Sequence, residues 1–173
     1  GYSSLAWSPD GTRLAFARDE VAEAGPISEV GLLTLSTGDV QGLASTADLK
    51  LEAAPIPYYQ SLRFTPDGRT LYWVAGPNAI FNLAACVDLT VTAYDVDSRT
   101  ARSVTAPVSV TALDPDLTGE RLAVSGCALD GVNDTRAVLR ILDRASGQVL
   151  TDLGTLDPGE QSDPAFAPEG ERL

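Results

Sequence analysis

The sequence predicts an all-β fold built from a repeated unit of four antiparallel strands. Three observations lead to this prediction. A turn motif recurs along the 173 residues at nearly constant spacing, apolar residues flank its copies, and a second polar turn follows each of the first three copies. Internal repeats of about 50 residues are typical of architectures that stack one structural unit several times.

The repeated turn has the form Ser/Thr-Pro-Asp-Gly in its two clearest copies. Proline presets the backbone angle φ, aspartate bonds to amides of its own turn, and glycine accepts positive φ, so the motif favours a tight hairpin. The third copy is interpreted as the same turn with two residues inserted, and the fourth has glutamate in place of aspartate. Successive glycines lie 57, 51 and 51 residues apart. The turn residues are Pro9, Asp10, Gly11, Pro66, Asp67, Gly68, Pro115, Asp116, Gly119, Pro168, Glu169 and Gly170.

Apolar residues alternate on both sides of the turns. Leu5 and Trp7 precede the first turn, and Leu14 and Phe16 follow it. Because alternate side chains of a strand share one face, the pattern predicts hairpins with one face in the core. Aromatic residues at strand positions are therefore expected to pack in the interior, namely Trp7, Phe16, Phe64, Tyr72, Trp73 and Phe166.

A second hairpin is predicted in each repeat, around the polar turns at 36–39, 97–100 and 143–147. Four antiparallel strands in about 50 residues correspond to one blade of a β-propeller. The loops between second and third strands are expected at 19–29, 76–89 and 127–135. The predicted blades are 1–45, 58–106 and 108–154, with a partial blade at 161–173 and a connector at 46–57.

The segments 5–16 (LAWSPDGTRLAF) and 62–72 (LRFTPDGRTLY) resemble the Pro-Asp repeats of TolB-like, WD40-like β-propellers. The resemblance covers nearly the whole chain. It implies a propeller of the bacterial cell envelope or secreted space that binds a protein or peptide on one face of the disc. The same repeat also builds the gating propeller of prolyl-oligopeptidase-type serine peptidases, whose catalytic domain would lie outside this sequence.

About three and a half blades do not close a ring, since propellers have at least four. Two explanations remain open. The chain is a segment of a longer propeller, or two copies associate as a homodimer and complete the ring with about seven blade equivalents.

The composition excludes or disfavours several classes of function. Acidic residues outnumber basic ones 24 to 12, and the net charge of −12 disfavours nucleic acid as a partner. No apolar segment approaches the roughly 18 residues of a membrane span, so membrane insertion is not expected. The sequence has no histidine, which excludes histidine-based nucleophile pairs and histidine metal ligands. A role without catalysis or cofactor is predicted; facing carboxylates with glycosidase chemistry are the weaker alternative.

The two cysteines, Cys86 and Cys127, fall at the same end of neighbouring predicted blades. A disulfide between them is expected, and it would indicate an oxidising compartment outside the cytoplasm. Two separate buried thiols are the alternative.

Two loop sets are candidate sites. Asp130, Asn133 and Asp134 offer the carboxylate and amide oxygens that Ca²⁺ prefers, although solvated turn residues explain them as well. Aromatic residues in connectors are candidates for contact with a partner, because such side chains dominate interfaces. They are Tyr58, Tyr59 and Phe81.

Overall fold

The computed structural model describes residues 1–22, 25–45, 57–77, 90–106, 108–128, 137–155 and 163–167. Its strands form three four-stranded antiparallel sheets, and in each sheet the strands follow one another in chain order. Each sheet is one blade, so the prediction of an all-β fold of four-stranded antiparallel blades is confirmed. The three blades do not close a ring.

The blades have the following strands. Blade 1 contains β1 (Tyr2–Trp7), β2 (Arg13–Ala22), β3 (Gly25–Thr34) and β4 (Val40–Ser45). Blade 2 contains β5 (Pro57–Phe64), β6 (Thr70–Pro77), β7 (Thr90–Asp95) and β8 (Thr100–Val104). Blade 3 contains β9 (Val108–Pro115), β10 (Arg121–Ala128), β11 (Ala137–Asp143) and β12 (Val149–Thr155).

The prediction of a loop at 19–29 is wrong for most of that segment. β2 and β3 continue through it as a paired hairpin, with Asp19 opposite Ser28. Its acidic, Gly-Pro composition suggested a loop, but the polar side chains pair across the strands. Arg18 bonds to Glu29 at 2.7 Å, and the Ser28 hydroxyl donates to the Asp19 carboxylate at 2.7 Å. The other two predicted loops and the connector at 46–57 lie largely outside the described residues.

Two apolar clusters fill the spaces between the blades. Between blades 1 and 2, the small side chains Ala15 and Ala17 of β2 share a cluster with Phe64 and Trp73. Between blades 2 and 3, residues of β6 and β7 share a cluster with residues of β9 and β10. The members of this second cluster include Tyr72, Val74, Val91, Ala93, Val110, Leu113, Leu122 and Val124.

The first strand of each blade has an irregular register near the same distance from its turn, and in blades 1 and 2 a serine hydroxyl at or beside it binds the next blade. The Ser4 hydroxyl accepts a hydrogen bond from the Leu62 amide at 3.1 Å, and the Ser61 hydroxyl accepts one from the Leu113 amide at 3.1 Å. Ser61 has a φ of 53°, in the left-handed region. The strands β1, β5 and β9 are thereby joined side by side along the inner edge of the blades.

Candidate functional site

The Pro-Asp-Gly turns set the ends of the first two strands in each blade. Gly11, Gly68 and Gly119 have φ of 69°, 69° and 68°, the left-handed conformation that the motif predicts. The amide of each glycine donates to the carbonyl oxygen three residues earlier, at 2.8 to 2.9 Å. The three turns therefore have one geometry.

The two-residue insertion predicted in the third turn is wrong. The Asp116 amide donates to the Arg121 carbonyl just as the Ser8 amide donates to Arg13, so Asp116 stands where the other turns have Ser or Thr. Thr118 takes the place of the motif aspartate, and its hydroxyl bonds to the Asp116 carboxylate at 3.0 Å. Pro115 lies in β9 rather than in the turn. Donor and acceptor have exchanged positions, which a match on the letters Pro-Asp does not reveal.

The turn carboxylates are held in their charged form. Hydrogen bonds from the Ser8 hydroxyl and from the Thr12 amide and hydroxyl lower the pKa of Asp10 to about 2. The Thr65 hydroxyl and the Arg69 amide lower the pKa of Asp67 in the same way. Burial opposes the charged form of Asp116, but hydrogen bonds from Arg121 and Thr118 outweigh it and lower the pKa. These carboxylates therefore stabilise the turns by accepting hydrogen bonds within them.

Several predicted site residues lie outside the described residues: Cys86, Phe81, Asp130, Asn133, Asp134, Pro168, Glu169 and Gly170. Within the described ranges, no group of three or more Asp, Glu or Cys side chains has the geometry to hold a metal ion. None of the described residues forms a helix that is long and apolar enough to cross a membrane.

Cys127 lies at the end of β10, beside Ser109 of β9. No cysteine in the described part of the chain is a free thiol. The bridge to Cys86 remains a prediction, because Cys86 falls in the segment that the structure leaves undescribed.

The expectation that Tyr59 contacts a partner is wrong. Tyr58 and Tyr59 belong to strand β5 and not to a connector. The Tyr59 side chain is 5% exposed and packs in the cluster between blades 1 and 2. The alternating apolar pattern before this Pro-Asp-Gly turn begins only at Leu62, after both tyrosines. The pattern therefore did not predict that Tyr59 is buried.

The outer face of blade 1 exposes two large apolar side chains. Leu5 and Trp7 are 56% and 60% exposed, whereas their repeat equivalents Leu62 and Phe64 are 0% and 9% exposed. The expectation that Trp7 packs in the core is therefore wrong in this structure. Blade 1 is the first described blade, so this face lacks the preceding sheet that buries its equivalents in blades 2 and 3.

This face, which we call the free face of blade 1, contains a groove of about 600 Å³. Its floor includes Leu14, Phe16, Leu33 and Gly31. The Phe16 ring lies directly over Gly31 on the neighbouring strand, where an added Cβ would collide with the ring. Glycine is therefore required at this point for the aromatic side chain to lie flat on the sheet. A glycine paired with an aromatic residue was the sequence signal that could have located the groove.

The ion pair between Arg18 and Glu29 borders the groove. Both side chains are partly exposed, and Glu20 adds a longer contact to Arg18 at 3.9 Å. The groove thus joins an apolar floor to a polar rim. This composition fits a polypeptide segment or sheet, since interfaces have a desolvated centre and a polar rim.

The chain was compared with protein-family models and with curated proteins, and neither comparison finds a match. Solved structures do match it. TolB from Acinetobacter baumannii superposes with a TM-score of 0.64 at 20% identity, over 97% of this chain and 35% of TolB. A Pyrococcus horikoshii acylaminoacyl peptidase gives 0.61 at 12% identity, over 87% of this chain and 24% of the peptidase.

The β-propeller domain of the Trilobed protease from Pyrococcus furiosus gives a TM-score of 0.54 at 16% identity, over 87% of this chain and 41% of that one. The chain thus spans less than half the length of each of these three proteins. At such identities the likeness shows the fold alone. Together with the repeated blades and turns, it shows that this chain has the TolB-like β-propeller fold.

Proposed function

We propose that the chain is a non-enzymatic propeller unit that binds a protein or peptide, in the bacterial cell envelope or secreted space. The observation that carries this proposal is the likeness to TolB, which extends over 97% of this chain. Leu5 and Trp7 stand exposed beside an apolar groove on the free face of blade 1 and offer a surface for testing it. Contiguous apolar surface of this kind marks sites where proteins associate. The turn carboxylates with lowered pKa hold backbone amides, which is a structural use.

Peptide binding tests the proposal. Extended apolar peptides on an array are offered to the purified chain and to two variants of matched chemistry. Trp7→Glu places a charge on the free face, whereas Leu117→Glu places one at an exposed turn residue of blade 3. Saturable binding that Trp7→Glu abolishes and Leu117→Glu retains is expected. If no peptide binds the monomeric chain, the proposal fails.

The location is tested through the cysteines. A disulfide between Cys86 and Cys127 supports an oxidising compartment. The intact mass of the native protein after alkylation is expected to show no modified thiol without reductant and two modified thiols with it. Two alkylated cysteines in the native protein would contradict both the bridge and this support for an envelope location.

The alternative is that the chain is the gating propeller of a larger serine peptidase. The likeness to the acylaminoacyl peptidase propeller favours it. The full reading frame decides between the two functions: a hydrolase domain following the propeller, with hydrolysis of acylated peptides by the full-length protein, would establish the alternative. A full-length protein that adds only further blades would exclude it.

A further inference from the structure

The junction between blades 2 and 3 holds a buried tyrosine hydroxyl that forms no well-aligned hydrogen bond among the described residues, that of Tyr72. Tyr72 pairs with Ala93, and Ala93 pairs with Arg102, so the three residues form one row across β6, β7 and β8. Residues in such a row point to the same face of the sheet. Because Tyr72 and Ala93 pack against blade 3, Arg102 lies on the face of blade 2 that blade 3 covers.

A second arginine reaches the same place from blade 3. Arg144 follows β11, and its amide donates to the Glu120 carbonyl oxygen at 2.9 Å. One of its guanidinium nitrogens lies 3.9 Å from the point where a Cβ on Gly119 would stand. The guanidinium is close enough to the Tyr72 hydroxyl to interact with it. Burial raises the pKa of Tyr72, and the positive charges of Arg144 and Arg102 partly offset that rise.

The two guanidiniums have no carboxylate partner in the part of the chain that the structure describes. Neither forms an ion pair or a hydrogen bond with an Asp or Glu side chain there. The nearby Asp67 carboxylate accepts bonds within its own turn, from the Thr65 hydroxyl at 2.6 Å and the Arg69 amide at 3.0 Å. Arg102 is exposed and Arg144 is half-buried, so a dissolved ligand can reach both. The junction therefore offers hydrogen-bond donors in excess of acceptors.

The equivalent junction between blades 1 and 2 has no such excess. There Gln41 takes the place of Arg102 in its row, and its side-chain amide donates to the Tyr94 hydroxyl across the junction at 3.0 Å. Val96 takes the place of Arg144 and packs against the apolar cluster between the blades. The packing of one blade on the next therefore does not require the two arginines.

We propose that Arg102, Arg144 and the Tyr72 hydroxyl bind a carboxylate side chain of the polypeptide partner. This inference rests on the proposed function, for which it names one contact. A guanidinium binds a carboxylate through two parallel N–H···O bonds, and the carboxylate retains acceptor sites for a hydroxyl group. A doubly charged phosphate group fits less well, because Asp67 lies near Arg144 and the net charge of the chain is −12.

Two short peptides that differ by one charge test the site: N-acetyl-Gly-Glu-Gly-amide and the same peptide with glutamine in place of glutamate. The purified chain is titrated with each peptide in 0.15 M salt, which screens the long-range repulsion between anions. The NMR signals of the arginine Nε–Hε groups report binding. Saturable shifts at Arg102 and Arg144 are expected with the glutamate peptide and not with the glutamine peptide.

Substitutions show which groups bind the carboxylate. Arg102→Gln and Arg144→Gln are each expected to weaken binding about tenfold, and Tyr72→Phe to weaken it several-fold while keeping the ring in place. Arg69→Gln is the matched control, because Arg69 is exposed in the Pro-Asp-Gly turn of blade 2 and the change removes the same charge. Binding by this control is expected to stay within about twofold of the parent chain.

Four results would overturn the inference. Absence of binding by the glutamate peptide, or equal binding by the glutamine peptide, would exclude a carboxylate site. An equal loss in Arg69→Gln would show a general effect of charge. Tighter binding of inorganic phosphate than of the glutamate peptide would overturn the choice of a carboxylate. In each case, apolar peptides that bind the free face of blade 1 would leave the proposed function standing.

Discussion

The turns between the third and fourth strands provide a direct test of how blade 3 sits on blade 2. Gly38 in blade 1 and Gly147 in blade 3 occupy equivalent turn positions, with φ of 75° and 72°. A Cβ at Gly38 would meet nothing within 4 Å. A Cβ at Gly147 would collide with the carbonyl oxygen of Thr105, which follows the last strand of blade 2. Substitution by alanine therefore strains both turns equally but pushes only one of them against a neighbouring blade.

The magnitudes follow from these two contributions. A left-handed alanine costs about 1–2 kcal/mol relative to glycine, so Gly38→Ala is expected to lower the free energy of unfolding by that amount. Forcing an atom into a packed contact adds about 1–3 kcal/mol, so Gly147→Ala is expected to lose about 2–5 kcal/mol. Arg99 occupies the same position in blade 2 with a φ of 59°. Arg99→Gly is expected to be neutral or to gain up to about 1 kcal/mol.

Urea unfolding of the three variants and the parent chain measures these differences. The slope against urea concentration is expected to stay constant, so that midpoints report stability. Equal losses for Gly38→Ala and Gly147→Ala would refute the reasoning. Such a result would mean that the turn of blade 3 does not contact Thr105, and that the two blades are arranged differently.

Two further substitutions address single contacts. The Tyr72 hydroxyl is buried and forms no well-aligned hydrogen bond among the described residues, although the Arg144 guanidinium lies close enough to interact with it. Tyr72→Phe is therefore expected to leave the free energy of unfolding unchanged or to raise it by up to about 1 kcal/mol; a clear loss would show that Arg144 bonds to the hydroxyl. The pKa of Asp10 is lowered from 3.8 to about 2 in the folded chain, so its stabilising effect is complete at neutral pH and is lost as the pH falls through that window. Asp10→Asn is therefore expected to be destabilising at pH 7, and the difference in unfolding midpoint is expected to disappear near pH 2. A difference independent of pH would contradict this origin.

The blade pattern follows from the sequence because its causes are local. A left-handed glycine closes each hairpin, and alternation between Leu5 and Trp7 or Leu14 and Phe16 assigns their faces correctly. Which element covers a sheet face depends on residues that are distant in the sequence. Trp7 and Phe64 have the same pattern around them, yet one is exposed and the other buried, because among the described residues only Phe64 has a blade in front of it.

The contacts between blades could not be predicted from the sequence either. The hydroxyls of Ser4 and Ser61 accept hydrogen bonds from amides more than 50 residues away. The strand irregularities beside these serines are not predicted by any turn motif. The third turn was misread for a related reason. Asp116 and Thr118 preserve its hydrogen bonds with the donor and acceptor exchanged, and hydrogen-bond roles are visible only once the backbone is placed.

Acrylamide quenching of the two tryptophans tests the central claim most directly, which is that blades 1 and 2 present the same pattern but only blade 2 has its face covered. Trp7→Phe and Trp73→Phe each leave one reporter, 2% exposed at Trp73 and 60% exposed at Trp7. In the dilute chain, strong quenching of Trp7 and weak quenching of Trp73 are predicted. Equal quenching of both residues would contradict the account, because the two faces would then not differ in cover.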